Sequence, residues 1–495
     1  MYECDINELL NFTGFGLWNV KFLLIWLYIG FVNFLTQDFI NDSQKRLDCL
    51  DTIYLNNSTN VSESMPIVDK CNDVQIQVFY IHSCLVVLFY LLFSVFADRI
   101  GRKHTLLMLT VAEIFAIWSL QRLDYNFSLM LTRYIDNALR SLKHLTLSIM
   151  LFETTTKSNR VIVYYAISFV STVSTQLLGN SHFLKFENIN IHATFIILVL
   201  TSELFFIYMF LDKSPRWLLQ KKRFKEASNL IENIFIENNA KMQPAVKEII
   251  RELSTLKMDE ESKENKSYSY IYNLYELFSS KESALILSAL VLNMLIPHIL
   301  EHKFSQNERT EENIVSHYIN ISIVLVVVGS QGFVAHRFGR KPALISSSIS
   351  AISSTILVKF YNKFIGNNNW FMTYVGVLSI NFQHLVTITT SLLAAEIFPT
   401  SLRATGIAMV YACASPPLII ILVAVIFTNN ALYFYGFAVP WIILGLLSSR
   451  YLPETLNEDI PDDIEEYQVR IKNHKPATSS GMQKKCESEL LASFI

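Results

Sequence analysis

The chain has 495 residues, 51% of them hydrophobic and 17% charged, with a formal net charge of −2. A soluble chain of this length carries nearer a quarter charged residues and divides into several domains; the near-neutral balance also excludes a basic surface made for nucleic acid. The apolar residues instead gather in blocks of about 20, the length that crosses a bilayer core of roughly 30 Å as a helix.

Twelve such spans are predicted in chain order. Six lie near 20–40, 75–97, 105–121, 127–152, 161–179 and 192–211, and six near 283–300, 315–335, 342–361, 369–395, 404–428 and 431–450. The third is short and the fourth carries charges. The expected fold is an all-α membrane protein with two six-helix halves, 20–211 and 283–450. A 1–19 N-terminal segment, a 212–282 linker and a 451–495 tail complete it. Ahead of the first span stand Asp5 and Glu8 rather than a basic run, and the first apolar block is too long for a cleavable signal.

The loop at about 41–74 carries Asn-x-Ser/Thr sequons at Asn41, Asn56, Asn57 and Asn60, of which the adjacent Asn56 and Asn57 are not both expected to be used. Cys49 and Cys71 share that loop, where an oxidising compartment permits a disulfide. Arg99, Arg102 and Lys103 follow the second span, Arg337, Arg340 and Lys341 the eighth, and Lys213, Arg216, Lys221, Lys222 and Arg223 open the linker. Alternating spans put these loops on one side, which the positive-inside rule makes the cytoplasm, with both termini. In the linker, Val246, Ile249, Ile250 and Leu253 fall on one face of a helix predicted over 245–256, as expected of an amphipathic helix on the cytosolic surface.

The chain also repeats itself about every 240 residues. Asp98-Arg-Ile-Gly-Arg-Lys103 after the second span matches His336-Arg-Phe-Gly-Arg-Lys341 after the eighth, and Glu153 with Arg160 matches Glu396 with Arg403. Ser214-Pro-Arg-Trp-Leu218 after the sixth span answers to Pro453-Glu-Thr455 after the twelfth. Basic loops alone satisfy the positive-inside rule, but that rule does not demand matched Glu, Gly and Arg spacing. Two halves related by an axis along the membrane normal form a known transporter architecture. Gly101 and Gly339 permit tight turns. Asp98, Arg99, Arg102, Arg216, Arg337, Arg340 and Glu454 join Glu153, Arg160, Glu396 and Arg403 as an expected gating layer. Read as surface pairs worth about 0–1 kcal/mol each, several must act together.

These motifs resemble the major facilitator superfamily and, within it, the solute carrier 22 family of organic cation, anion and zwitterion transporters. The resemblance runs from Asp5 and Leu10 through Glu396-Ile-Phe-Pro-Thr-Ser-Leu-Arg403 to Pro453-Glu-Thr-Leu-Asn457, and the glycosylated outer loop is a second family trait. The seventh span lacks the Gln-Gln of sugar porters. The chain departs from the family pattern at Ser94 and Lys213, where Gly and Glu are expected, and at Asn137 and Leu142, where glycines allow close helix packing. Its outer loop is also short.

The resemblance implies a cavity lined by spans 1, 4, 7 and 10. Arg133, Asn137, Arg140 and His144 share one face of the fourth span. Arg140 and His144 are read as cavity residues; Arg133 and Asp136 read equally well as a structural pair, with Lys143 reaching for the interface. Asn33 of the first span and Asn381 and His384 of the tenth are further cavity candidates, while Glu113 and Glu203 are lone acids, read as paired or protonated inside the first half. Ser415 stands where the resemblance implies an Asp in cation members and an Arg in anion members, so the usual charge selector is absent. The expected function is carriage of a small organic ion across a bilayer by alternating access, leaning through Arg140 and His144 toward anions or zwitterions. No catalytic residue, metal or cofactor is expected, and no Walker loop is present. The rivals are a non-transporting receptor or scaffold, motivated by Ser94 and Lys213, and a proton-coupled symporter using Glu113 or Glu203.

Overall fold

A computed structural model gives the fold and describes residues 16–33, 35–36, 85–120, 126–157, 159–178, 189–240, 244–255, 275, 277, 279–301, 314–364, 370–414, 431–456 and 458–473. Their regular elements are all helical. In the first half these are α1 (Leu17–Asn33), α2 (85–99), α3 (Arg102–Leu120), α4 (Asn126–Thr154), α5 (Arg160–Leu178) and α6 (Ile189–Phe210). Three linker helices follow: α7 (Pro215–Gln220), α8 (Phe224–Glu237) and α9 (Pro244–Thr255). The second half holds α10 (Lys281–Glu301), α11 (Ile314–Arg337), α12 (Arg340–Phe364), α13 (Trp370–Ile397), α14 (Arg403–Ala414) and α15 (Ala431–Ser448), and α16 (Ile464–Asn473) lies in the tail. Each predicted span overlaps one of these helices, the eleventh through its first part only. The sequons Asn41, Asn56, Asn57 and Asn60, the pair Cys49 and Cys71, and Ser415 lie outside the described residues.

The helices form where apolar blocks run unbroken and stop where the backbone is punctuated. Gly101 and Gly339, at φ of +110° and +112°, close the turns between α2 and α3 and between α11 and α12. L-residues rarely hold that left-handed geometry. Ser214 caps α7 by accepting from Trp217 N, and Pro215 sits at its first position, where a missing N–H costs nothing.

Within the first half α3 packs against α4 and α6; within the second, α12 packs against α13, and α10 against α13, α14 and α15. The halves meet where α5 lies on α11 and α13 and where α14 lies on α4. Large apolar side chains remain exposed on outward faces, among them Leu24, Phe115, Leu198, Phe205, Val326 and Leu447. So much apolar surface is what lipid covers. Among the described residues, Ile191–Phe210 and Tyr374–Ile397 are long and apolar enough to cross a membrane by length and composition alone. The amphipathic face of α9 covers α8 instead of lying on a surface of its own, burying Val246 and Ile250 against Ile231 and Phe235.

Candidate functional site

At one end of the bundle the repeated motifs converge into a buried layer. Glu153, at the end of α4, accepts from Arg102 Nη2 at 2.8 Å and from Arg403 Nη1 of the other half at 3.1 Å. Glu396, at the end of α13, takes Arg340 through Nε and Nη2 at 3.0 and 3.1 Å and faces Arg160 of the first half at 3.6 Å. Each glutamate therefore holds one arginine from its own half and one from the other. Phe152 lies between the crossing arginines, 4.7 Å from Arg160 and 5.6 Å from Arg403, in cation–π contact. Asp98 accepts from the N–H groups of Ala404 and Thr405 at 3.3 and 2.9 Å, so a carboxylate of α2 sits on the N-terminus of α14.

This geometry changes the expected energetics. Arg102, Glu153, Arg160, Arg340, Glu396 and Arg403 are all buried, so these are not surface pairs. Removing one member strands a desolvated charge, at about 3–5 kcal/mol rather than about 1 kcal/mol.

The tail completes the layer. Thr400 N donates to Pro461 O at 3.0 Å, Arg216 reaches Asp462 at 3.5 Å, and Lys157 pairs with Asp459 at 3.1 Å. The Thr455 hydroxyl is bonded to Glu396. Glu454 accepts from Arg340 N and Lys341 N at 2.9 and 3.1 Å, capping α12 beside Gly339. The first half has no such cap: Lys213 occupies the matching place and pairs with Glu226 at 2.9 Å, while Trp217 packs over Gly101 and donates to Asp98 O. Arg99 and Arg337 are exposed at the ends of α2 and α11, outside the buried layer.

Roughly 8–12 Å of helix rise from the layer lies a band of tyrosines that the sequence reading missed. Tyr90 of α2 stacks on Tyr411 of α14 at 5.7 Å, Tyr411 bonds Ser391 at 2.6 Å, and Tyr165 of α5 bonds Thr389 at 2.7 Å. The Tyr90–Tyr411 and Tyr165–Thr389 contacts join the halves. Their signal was present, since each tyrosine shares a helix with a layer residue one to two turns away, but apolar packing explains a tyrosine equally well.

Deeper still, about 14–22 Å of rise from the layer, lie the predicted cavity residues. His144 and His384 are exposed, and His144 sets its ring edge-on to Trp26 at 5.7 Å. Asn381 is buried and donates to Val377 O at 2.8 Å. Arg140 pairs with Asp136 at 2.9 Å and donates to Asn33 O at 3.4 Å. Lys143 does not reach for the interface. It is fully buried between Glu113 at 2.5 Å and Glu203 at 2.9 Å, which accounts for both lone acids. The cost of leaving either carboxylate alone in the interior outweighs the gain from solvating the ammonium.

The profile of the family described as sugar (and other) transporter matches residues 90–462. The chain belongs to that family. As such it is a multi-pass membrane protein of a transporter family. It is 26% identical over 296 residues to solute carrier family 22 member 1 of Bos taurus, spanning 55% of this chain and 47% of that protein. Against the organic cation transporter protein of Drosophila melanogaster it is 25% identical over 77% of this chain and 69% of that one. Against the major myo-inositol transporter IolT of Bacillus subtilis it is 24% identical over 59% and 61%. The match thus spans about half the length of the bovine relative. It is a divergent, solute carrier 22-like member of its superfamily. The major facilitator superfamily proton:xylose symporter XylE bound to 6-bromo-6-deoxy-D-glucose superposes with a TM-score of 0.61 at 15% identity, over 92% of this chain and 98% of that one. The inward open xylose transporter XylE from E. coli gives 0.53 at 14% identity, over 91% and 99%. They show the major facilitator fold.

Proposed function

We propose that this chain carries small organic ions across the plasma membrane by alternating access, with the buried charged layer as its cytosolic gate and both termini in the cytosol. The observation that supports this most is the reciprocal pairing of Glu153 with Arg403 and of Glu396 with Arg160 across the halves. Such crossed pairs hold one conformation closed and must separate in the other. Moving a two-state balance from 1:99 to 99:1 takes about 5.5 kcal/mol, which the two buried crossed pairs can supply and substrate binding can oppose.

The substrate would lie above the tyrosine band, near His144, His384, Asn381, Asn33 and Arg140. The lean toward anions loses its main support, because Asp136 at 2.9 Å compensates the Arg140 charge. With the neutral Ser415 at the usual selector position, cations, anions and zwitterions are all candidate substrates. On purified protein in liposomes, a panel of small organic cations, anions and zwitterions should reveal saturable uptake of a subset. No uptake across the panel would favour a receptor or scaffold. Ser415→Asp should shift preference toward cations and Ser415→Arg toward anions by tenfold or so, about 1–2 kcal/mol; unchanged preference in both would remove Ser415 from the site.

A further inference from the structure

Three acids and two bases are enclosed inside the first half. Glu113 on α3, Lys143 on α4 and Glu203 on α6 have no exposed side-chain surface, Asp136 has none, and Arg140 keeps 8% of its own. Lys143 donates to both glutamates, Thr110 donates to Glu203 at 3.4 Å, and Arg140 is spoken for by Asp136. Asp136 interacts electrostatically with Glu113 and Lys143 as well, so the five groups form one system. From α1, the Tyr28 hydroxyl lies 2.5 Å from Ser202, next to Glu203.

Counted as ionised, the set carries one negative charge in excess. A medium of low dielectric resists a net buried charge, and two carboxylates sharing one ammonium resist joint ionisation. Arg140 already balances Asp136, so the excess belongs to the glutamates.

We propose that this cluster is a proton-binding site: one proton is held by Glu113 and Glu203 around Lys143 when the gate is closed. The ligand is the proton itself, taken from water and returned to it, with no bond to substrate. The site is confined to one half. Where α3 and α4 have Glu113 and Lys143, the repeat places Ala351 and Val386 in α12 and α13. The inference stands independently of what the chain transports.

The test is infrared spectroscopy of the full chain in lipid nanodiscs at neutral pH, with and without ¹³C-labelled glutamate. A carboxylic-acid C=O band that moves on glutamate labelling is expected, and Glu113→Gln or Glu203→Gln should abolish it, since each variant leaves Lys143 one carboxylate. No such band, a band that ignores the glutamate label, or one that survives in both variants overturns the proposal. The label arm needs no variant, so a misfolded mutant does not decide the outcome. A positive band with no uptake of any compound would refute transport and leave the proton site standing. Where a transported compound is found, wild-type uptake should change severalfold with pH and that of the Gln variants should be flat.

Discussion

Inside the first half, α3, α4 and α6 bury Glu113, Lys143 and Glu203 beside Asp136 and Arg140. Inside the second, the repeat puts Ser379 at the place of Asp136 and Gln383 at that of Arg140. There Ser379 bonds Thr355 at 2.8 Å and accepts from Gln383 at 3.3 Å, a network of hydroxyls and an amide with no ionised member. In the buried charged layer, by contrast, the halves are alike: Glu153 and Glu396 each hold two arginines in the same crossed pattern. The feature common to both halves serves their contact with each other. The feature found in one half lies wholly inside that half and holds three acids against two bases.

Replacing the central cation should have the largest effect. Lys143→Met leaves the buried Glu113–Glu203 pair without its cation and is expected to cost about 3–5 kcal/mol, whereas Ser379→Val, in the uncharged interior of the second half, should cost about 1–2 kcal/mol. Thermal unfolding of the two variants in detergent compares them directly, and equal losses would erase the contrast between the interiors. Next come the glutamates of the layer. Glu153→Gln and Glu396→Gln should each weaken closure by about 2–3 kcal/mol, the scale of charged hydrogen bonds. Labelling of a cysteine placed at the buried Ser401 reads this as faster modification, similar in both variants; a response to only one would break the symmetry. Glu396→Lys should cripple turnover more than surface expression.

The turns give a finer test. An alanine at either Gly101 or Gly339 meets a left-handed backbone, at about 1–2 kcal/mol, but a Cβ at Gly101 would lie 2.9 Å from the Trp217 ring and one at Gly339 2.5 Å from a Glu454 carboxylate oxygen. A carboxylate can swing aside and a packed indole cannot, so Gly101→Ala should lower the melting temperature more. The smallest effect concerns the missing cap. Lys213→Glu should give α3 the carboxylate that Glu454 gives α12, worth about 0.3–1 kcal/mol, less whatever the exposed pair with Glu226 contributed. Glu226 is held below its usual range by hydrogen bonds from Lys213 and Arg223. Its small contribution is therefore present above about pH 4.5, lost as pH falls through the lowered value, and should shrink in Lys213→Glu. Unfolding followed from pH 6 to pH 3 reads both.

The spans and the repeat were legible because lipid imposes length and apolarity, and because motifs at turns keep their spacing. The partners within the layer were less so. Sequence matched Glu153 with Glu396 and Arg160 with Arg403, but the bonds of Arg403 to Pro461 and of Thr400 to Asp462 come from a tail segment that local patterns do not connect to the bundle. Lys143 was misread for a similar reason. In a membrane span the long stem of a lysine usually carries its ammonium toward the interface, and only the approach of α3 and α6 supplies two carboxylates instead. Both acids had been conspicuous as lone charges in apolar spans; what was missing was the third dimension.

The double arginine on each glutamate also bears on how such a chain is made. Glu153 and Arg403 stand 250 residues apart, so at about 5–20 residues per second the first half waits roughly 10–50 s for its cross-half arginine to be synthesised. Through that interval Arg102, 51 residues from Glu153 and made before it, already neutralises the carboxylate. The within-half pair acts as a temporary guardian during synthesis; Glu396 needs none, because Arg160 and Arg340 are both made before it. Pro461 and Asp462 are made after every arginine and glutamate of the layer, so its tail contacts form last.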